Sequence, residues 1–327
     1  MKIIKNLVII LNVLFFSCAD NISINNNTLS LNVTGDVSTL NIVTWNIENF
    51  PKNSLTTNYV KNIIDSMNVD ILALQEIRNL TSLMNIASDL GDQWIAYRSP
   101  GSSNYGNLAY LINTDELDNL VEPYTMPNDD FPCPSYAFNI SDHRCSNQDP
   151  IDYEYNFAYK MPYILNFEYN NEIFSLINMH LKCCGGTNSQ EESRRYEAVK
   201  HLHNYLNNHL LDRNIIIVGD YNDEISTTVT FDGTEKGIFY LLEEDYEEYL
   251  FTDINIENGS VNYWSYPGWP SHLDHIVINN NIIYNPNISY DTSTLLIDEM
   301  LEGGWGEYNS YISDHRPLLI NLDISIP

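Results

Sequence analysis

Positive charge is scarce in this chain. Against 44 Asp and Glu stand 15 Lys and Arg, a formal net charge of −29 over 327 residues. That balance favours solubility and excludes a protein that grips polyanions through a broad basic surface, because that grip comes from Lys and Arg displacing counterions. No CxxC pair occurs, so a thiolate metal site of the zinc-ribbon kind has no support. Internal repeats are missing, and no Pro- or Gly-rich linker follows Leu40, which removes repeat arrays and an evident division into domains. No apolar run is long enough to span a bilayer; the most apolar stretch, at the N-terminus, is broken at Asn12.

What is present suits a packed core: hydrophobic residues make up 43% of the chain and aromatic residues 12%. The N-terminus is a separate object. "MKIIKNLVIILNVLFFSCAD" has Lys2 and Lys5, then an apolar stretch, then Ser17-Cys18, the plan of an export signal. Residues 1–17 are therefore expected to be a signal peptide. Cys18 resembles the lipidated first residue of a lipoprotein, with an ordinary secretory peptide as the alternative. Residues 18–38, rich in Asn, Ser and Thr, read as a flexible tether, and 39–327 as the working domain. Export would place the protein at the cell surface or in the periplasm, or release it. There the remaining cysteines, Cys133, Cys145, Cys183 and Cys184, are compatible with two disulfides, of three possible connectivities.

From Leu40 onward, strand-like and helix-like segments alternate. "LNIVTWNI" (40–47), "DILALQEI" (70–77), "WIAYRS" and "NLAYLIN" read as strands. Residues 55–67 and 80–90 carry helical spacing. A long irregular stretch from Pro127 to about Asn156 precedes a predicted hairpin, "MPYILNFEY" and "EIFSLINMH", turning at Asn170-Asn171. A helix over 189–210, the strand "NIIIVGDYN", a helix near "GIFYLLEEDY", and the strands "HLDHIVIN" and "RPLLINLDI" complete a mixed α/β pattern.

Polar residues recur where those strands end. Asn46 closes "TWNI", Glu76 follows "LALQ", His180 ends "LINMH", Asp220 and Asn222 lie in "IIIVGDYN", Asp274 opens "DHIVIN", and Asp314-His315 precede the last strand. Singly, each has a bland reading as a turn, surface or core residue. Scattered turn residues would not be biased toward carboxylates and imidazoles in this way.

With its motifs WNIENF, LQEI, Lys160-x-Pro162, MHL, GDYND, LDHI and SDHRPL in this order, the chain resembles the endonuclease/exonuclease/phosphatase superfamily over roughly residues 40 to 323. Pancreatic-type deoxyribonuclease, abasic-site endonucleases, bacterial sphingomyelinases and inositol polyphosphate 5-phosphatases belong to it. The resemblance implies a four-layer α/β sandwich, with two central mixed β-sheets and helices outside. It implies a Mg2+ site (Mn2+ or Ca2+ as substitutes) built on Glu76, with Asn46 and Asp314 nearby or acting through water. His315 would pair with Asp274, Asp220 and Asn222 would orient water and the phosphoryl group, and His180 and Lys160 would meet phosphate. The residue types suit the chemistry: Mg2+ takes hard oxygen ligands, and imidazole donors and a metal stabilise the spread charge of phosphoester hydrolysis.

The resemblance leaves the substrate open. The expectation is an exported phosphodiesterase that cleaves nucleic acid, working as a monomer without a protein partner and held to the membrane by its lipid. A phospholipase C-like, sphingomyelinase-like or inositol-phosphate phosphoesterase is the alternative, and a non-catalytic surface-binding lipoprotein the bland one. Lys160 replaces a common Arg, and His275 follows Asp274 where relatives carry an aromatic or an Arg. Cys183-Cys184 are expected to staple a loop beside the site, and Trp264, Tyr266 and Trp269 stand just upstream of Asp274 as stacking faces or as a packed turn. Local cations for a phosphate chain would be Lys160, Lys182 and Arg194 or Arg195.

Overall fold

The computed structural model describes residues 39–101, 106–127, 153–184, 190–231, 234–243 and 248–325. The signal peptide, Cys18 and the tether, together with Cys133 and Cys145, lie outside the described residues. In chain order the elements begin with β1 (Thr39–Phe50), α1 (Thr56–Asp65), β2 (Ile71–Ile77), α2 (Leu80–Leu90), β3 (Trp94–Arg98), β4 (Asn107–Asn113) and β5 (Tyr124–Thr125). Next come α3 (Tyr153–Asn156), β6 (Tyr163–Tyr169), β7 (Glu172–His180), α4 (Gln190–His209), β8 (Asn214–Asp220), β9 (Thr228–Phe231), β10 (Thr234–Gly237) and α5 (Tyr240–Glu243). The chain finishes with β11 (Tyr249–Phe251), α6 (Ile254–Glu257), β12 (Asp274–Asn279), α7 (Asn280–Ile283), β13 (Ile288–Thr294), α8 (Gly304–Tyr311) and β14 (Leu318–Ile324).

Two six-stranded sheets carry the fold, in the orders β13-β14-β1-β2-β4-β3 and β11-β12-β8-β7-β6-β5, with β9 and β10 as a separate ribbon. Both are mixed: β1 runs parallel to β2, and β7 parallel to β8, among antiparallel neighbours. Period-2 alternation explains why the sheets stack. Leu40 and Ile42 of β1, Ile216 and Val218 of β8, and Leu318, Ile320 and Leu322 of β14 share one apolar core between the sheets. The other faces, with Val43, Trp45 and Ile47 on one sheet and Ile215 and Ile217 on the other, pack outward. Val60, Ile63 and Ile64 of α1 and Leu83 and Ile86 of α2 cover the first sheet; Val199, Leu202 and Leu206 of α4 cover the second. These are the four expected layers.

Local chemistry sets the boundaries. Asn79 caps α2 by accepting a hydrogen bond from Ser82 N. Asn170 (φ 50°) and Asn171 (φ 65°) both adopt the left-handed conformation of a tight hairpin between β6 and β7. Asparagine tolerates it. β1 runs three residues beyond the expected end, and its register against β2 shifts between Asn46 and Phe50, so Asn46 sits at a bulge inside a longer strand.

Candidate active site

Strand register assembles the second sheet's share of the site. His180 pairs with Asp220 across the parallel β7–β8 ladder, and Asp274 pairs with Asp220 across the antiparallel β12–β8 ladder. Three chemistry-bearing residues therefore stand in a row on adjacent strands. From the first sheet, Asn46 reaches across and its Nδ2 donates to Asp220 Oδ2 at 2.9 Å, with a longer contact of 3.5 Å to Glu76 Oε1. Glu76 occupies a second bulge, where β2 loses register with β4, at φ 63°. The bulge is possible because Gly106 passes beneath it: a Cβ there would lie 2.4 Å from the Glu76 carbonyl carbon.

His315 completes the centre. Its Nδ1 lies 2.7 Å from Asp274 Oδ2, and its Nε2 lies 3.9 Å from Asp220 Oδ2 and 4.0 Å from Asp314 Oδ1. The Asp-His pair before the last strand is fixed by neighbours. Ser313 Oγ donates to Asn46 O at 2.6 Å and accepts from His315 N at 2.9 Å, while Tyr308 Oη donates to His315 O at 2.7 Å. Asp274 is held likewise, its N–H donating to Ser265 Oγ at 3.1 Å. Asn222, at φ 54°, donates its N–H to Asp220 Oδ1 at 2.9 Å and its side-chain amide to Leu181 O at 3.2 Å.

Burial and charge set the protonation states. Burial lowers the affinity of His315 for a proton, but the Asp274 and Asp220 carboxylates outweigh this and raise its pKa to about 10, so it is an imidazolium. His180, fully buried and facing Lys160 and His315, is driven well below the ordinary histidine range and is neutral. Burial raises Asp220 to about 6, with His315, Asn46 and Asn222 opposing the rise and Asp274 adding to it. Lys160 is buried too, and that lowers its pKa to about 8 against the pull of Asp220 and Glu76.

The donor set fits a hard divalent cation. Glu76 and Asp314 lie near enough to Glu48 for their charges to act on it: its pKa is raised by burial and by both of them, against the ammonium of its partner Lys52. Asn46 Oδ1 is buried and lacks a hydrogen-bond partner. Neighbouring carboxylates and an orphaned amide oxygen are what an oxygen-preferring ion satisfies. Glu76, Asn46 and Asp314 would hold it, and bound there it would polarise a phosphoryl oxygen and neutralise charge on it.

Asn46, Glu76, His180, Asp220, Asn222, Asp274, Asp314 and His315 thus stand together at one end of the two sheets, with Lys160 near enough to Asp220 and Glu76 to feel their charge. Two expectations change. Arg195 is no phosphate contact: it is buried, with Nη2 2.8 Å from Asp223 Oδ2 and Nη1 donating to Lys182 O and Cys184 O. Arg194 lies over the Tyr155 ring and donates to its carbonyl. Cys183 and Cys184 are joined to each other, and as chain neighbours they close only their own turn. Glu48, two residues past Asn46, escaped the sequence and belongs to the site; Tyr266, expected there as a stacking face or a packed turn, has its ring centroid 4.8 Å from that of His315. Arg316, next to His315 in the chain, instead makes a buried bidentate pair with Asp298.

The sequence profile of the Endonuclease/Exonuclease/phosphatase family matches residues 43–315. The chain belongs to this family. It is accordingly a metal-dependent phosphoesterase. No curated protein matches it by sequence. Among solved structures, a humanized D. rerio TDP2 superposes at a TM-score of 0.60 and 11% identity, covering 87% of this chain and 99% of that one. D. rerio TDP2 complexed with single-strand DNA product gives 0.58 and 12%, with the same coverage. A mannosyl-6-phosphatase of Bacteroides thetaiotaomicron gives 0.54 and 14%, covering 86% of this chain and 99% of that one. At these identities the likeness is one of fold.

Proposed function

We propose that this member of the family is an exported, Mg2+-dependent phosphodiesterase that hydrolyses nucleic acid, with a single strand as the preferred form. The observation that carries this reading is an aromatic platform beside His315. A tight hairpin, closed by paired hydrogen bonds between Tyr266 and Ser271, holds Tyr266 against the His315 ring. At its tip, between Pro267 and Pro270, Trp269 is 78% exposed. An indole open to solvent, on a hairpin whose base packs against His315, is a surface on which an unpaired base can stack. In this reading Asp220, held by Asn46 and Asn222, takes the proton of the attacking water. His315, oriented by Asp274, and His180 and Lys160 hold the phosphoryl oxygens.

A second reading has one observation in its favour. A cavity of about 260 Å3 beside Lys160, lined by Asn107, Glu154, Tyr159 and Met161 among others, has the size for a small phosphorylated molecule. Purified protein assayed with Mg2+, Mn2+ and Ca2+ against single- and double-stranded DNA, RNA, sphingomyelin, inositol phosphates and sugar phosphates decides. Turnover confined to phosphomonoesters would overturn the nuclease reading. Export rests on the N-terminal residues, and lipid attachment on Cys18. Cys18→Ser is expected to release the protein from the membrane fraction or block its processing. Unchanged partitioning would remove the anchor.

A further inference from the structure

Beneath the site lies a second cluster of ionisable groups that the reaction does not use. Asp253, His272 and His275 are completely buried, and their nitrogens and oxygens lie close enough together to suggest a metal site. Counting protons removes that possibility. Ser265 N–H donates to His272 Nδ1 at 3.3 Å, so the His272 proton is on Nε2, which donates to Asp253 Oδ2 at 3.0 Å. A metal on Nε2 would leave that ring with no proton at all. His275 Nδ1 lies 2.6 Å from the same Asp253 oxygen, and His275 Nε2 lies 2.8 Å from the carbonyl oxygen of Asp223. Both of these partners can only accept, so both His275 nitrogens donate and the ring is an imidazolium. The last carboxylate oxygen, Asp253 Oδ1, accepts from Ile276 N at 3.0 Å. Every polar atom of the cluster has its partner without a metal.

The position of this ion pair gives it a task. His275 follows Asp274 on β12, so it points to the opposite face of the strand. Asp223 follows Asn222. The imidazolium therefore ties the strand that carries Asp274 to the turn that carries Asp220 and Asn222. The same turn is held from its other side by Arg195 on the Asp223 carboxylate. A buried ion pair is a weak source of stability, since desolvation offsets its attraction, but two directed donors from one rigid ring fix geometry. Tyr221, Phe239 and Phe251 enclose the ring edge to face, and Glu257 and Glu224 are further carboxylates whose charge reaches it.

We propose that His275, charged and held by Asp253, is a positioning residue that sets the Asp220–Asn222 turn against Asp274, a role that rests on the phosphodiesterase reading above. Two measurements on the full chain test it. Nitrogen-15 NMR of histidine-labelled wild type at pH 7.5, with His275 assigned through His275→Gln, is expected to show both of its ring nitrogens protonated. One bare nitrogen would overturn the proposal. With bis-p-nitrophenyl phosphate and Mg2+, His275→Gln is expected to lower kcat by about 10- to 100-fold with little change in KM, as supports of catalytic groups do. His275→Arg, which keeps the charge and several donors, is expected to regain much of it. Wild-type kcat in a folded Gln variant, or equal losses in the Gln and Arg variants, would overturn positioning. A wild type inert toward this probe would overturn the phosphodiesterase reading instead, and the nitrogen spectrum would still decide the hydrogen bonds of His275.

Discussion

His315 and Asp274 act on each other at 2.7 Å, and the consequence is measurable. Without the carboxylate the imidazole loses its orientation and the source of its raised pKa; without the imidazole the carboxylate is a buried, uncompensated anion. His315→Ala and Asp274→Asn are each expected to lower kcat by about 10^2- to 10^4-fold. The double variant should lose far less than the product of the two, because the pair works as a unit. Multiplicative losses, read from kcat on any cleaved substrate, would mean two independent roles. His275 predicts a second residue-level signature, in stability. Burial opposes its charge, yet Asp253 raises its pKa to about 9 from an ordinary value of 6.5. Folding therefore binds that proton more tightly. The resulting stabilisation is fully present below pH 6.5 and is lost as pH rises through 9. The Tm gap between wild type and His275→Gln should narrow across that window, and a gap independent of pH would contradict the charged state. At this scale the sequence was most legible where a polar side chain ended a buried strand, as at Glu76, His180, Asp220 and Asp274. Ser265, Ser313 and Asp253 were not legible, because a supporting hydrogen bond is made across a distance in the chain that no local pattern records.

Strands were readable one at a time, and beyond the hairpin of β6 and β7 their pairing was not. β14 announces itself with Leu318, Ile320 and Leu322, which all enter the core between the sheets. β13, "ISYDTST", lies at the sheet's edge with one face open, so it has little apolar pattern to show. α8 starts Gly-Trp-Gly, a poor helix opening by propensity; its position comes from packing, with Trp305 stacked on Tyr308 and Tyr308 on Trp45. The central elements should also carry the stability. Ile320→Ala, at a fully buried position between the sheets, is expected to cost about 2 to 5 kcal/mol in chemical denaturation. A cost below about 1 kcal/mol would mean that the two sheets are not closely packed there. The hairpin tip differs in kind: Trp269 is exposed, so Trp269→Ala should leave Tm nearly unchanged while raising KM for a single strand. An unchanged KM would remove the stacking platform.

The whole molecule approaches its substrate with a net charge of −29. A polyanionic substrate then meets repulsion at long range and attraction only at the site, and the structure narrows the source of that attraction. Arg195 is tied up in the core of its loop, and Arg194 by Tyr155. The cations this leaves among those expected at the site are Lys160 and Lys182, both near enough to His180 to lower its pKa. Each phosphate neutralised on a single strand contributes about −0.7 to the slope of log affinity against log salt, so two give a slope no steeper than about −1.4. Monovalent salt should thus inhibit weakly. Divalent cation should activate steeply up to roughly millimolar levels, since it must screen the acidic surface as well as fill the site. The measurement is kcat/KM on single-stranded DNA across both titrations. Collapse of activity by about 0.2 M NaCl would reveal a basic stripe outside the residues named here. Saturation at micromolar Mg2+ would show that the acidic surface faces away from the substrate, which favours the small phosphorylated molecule of the second reading.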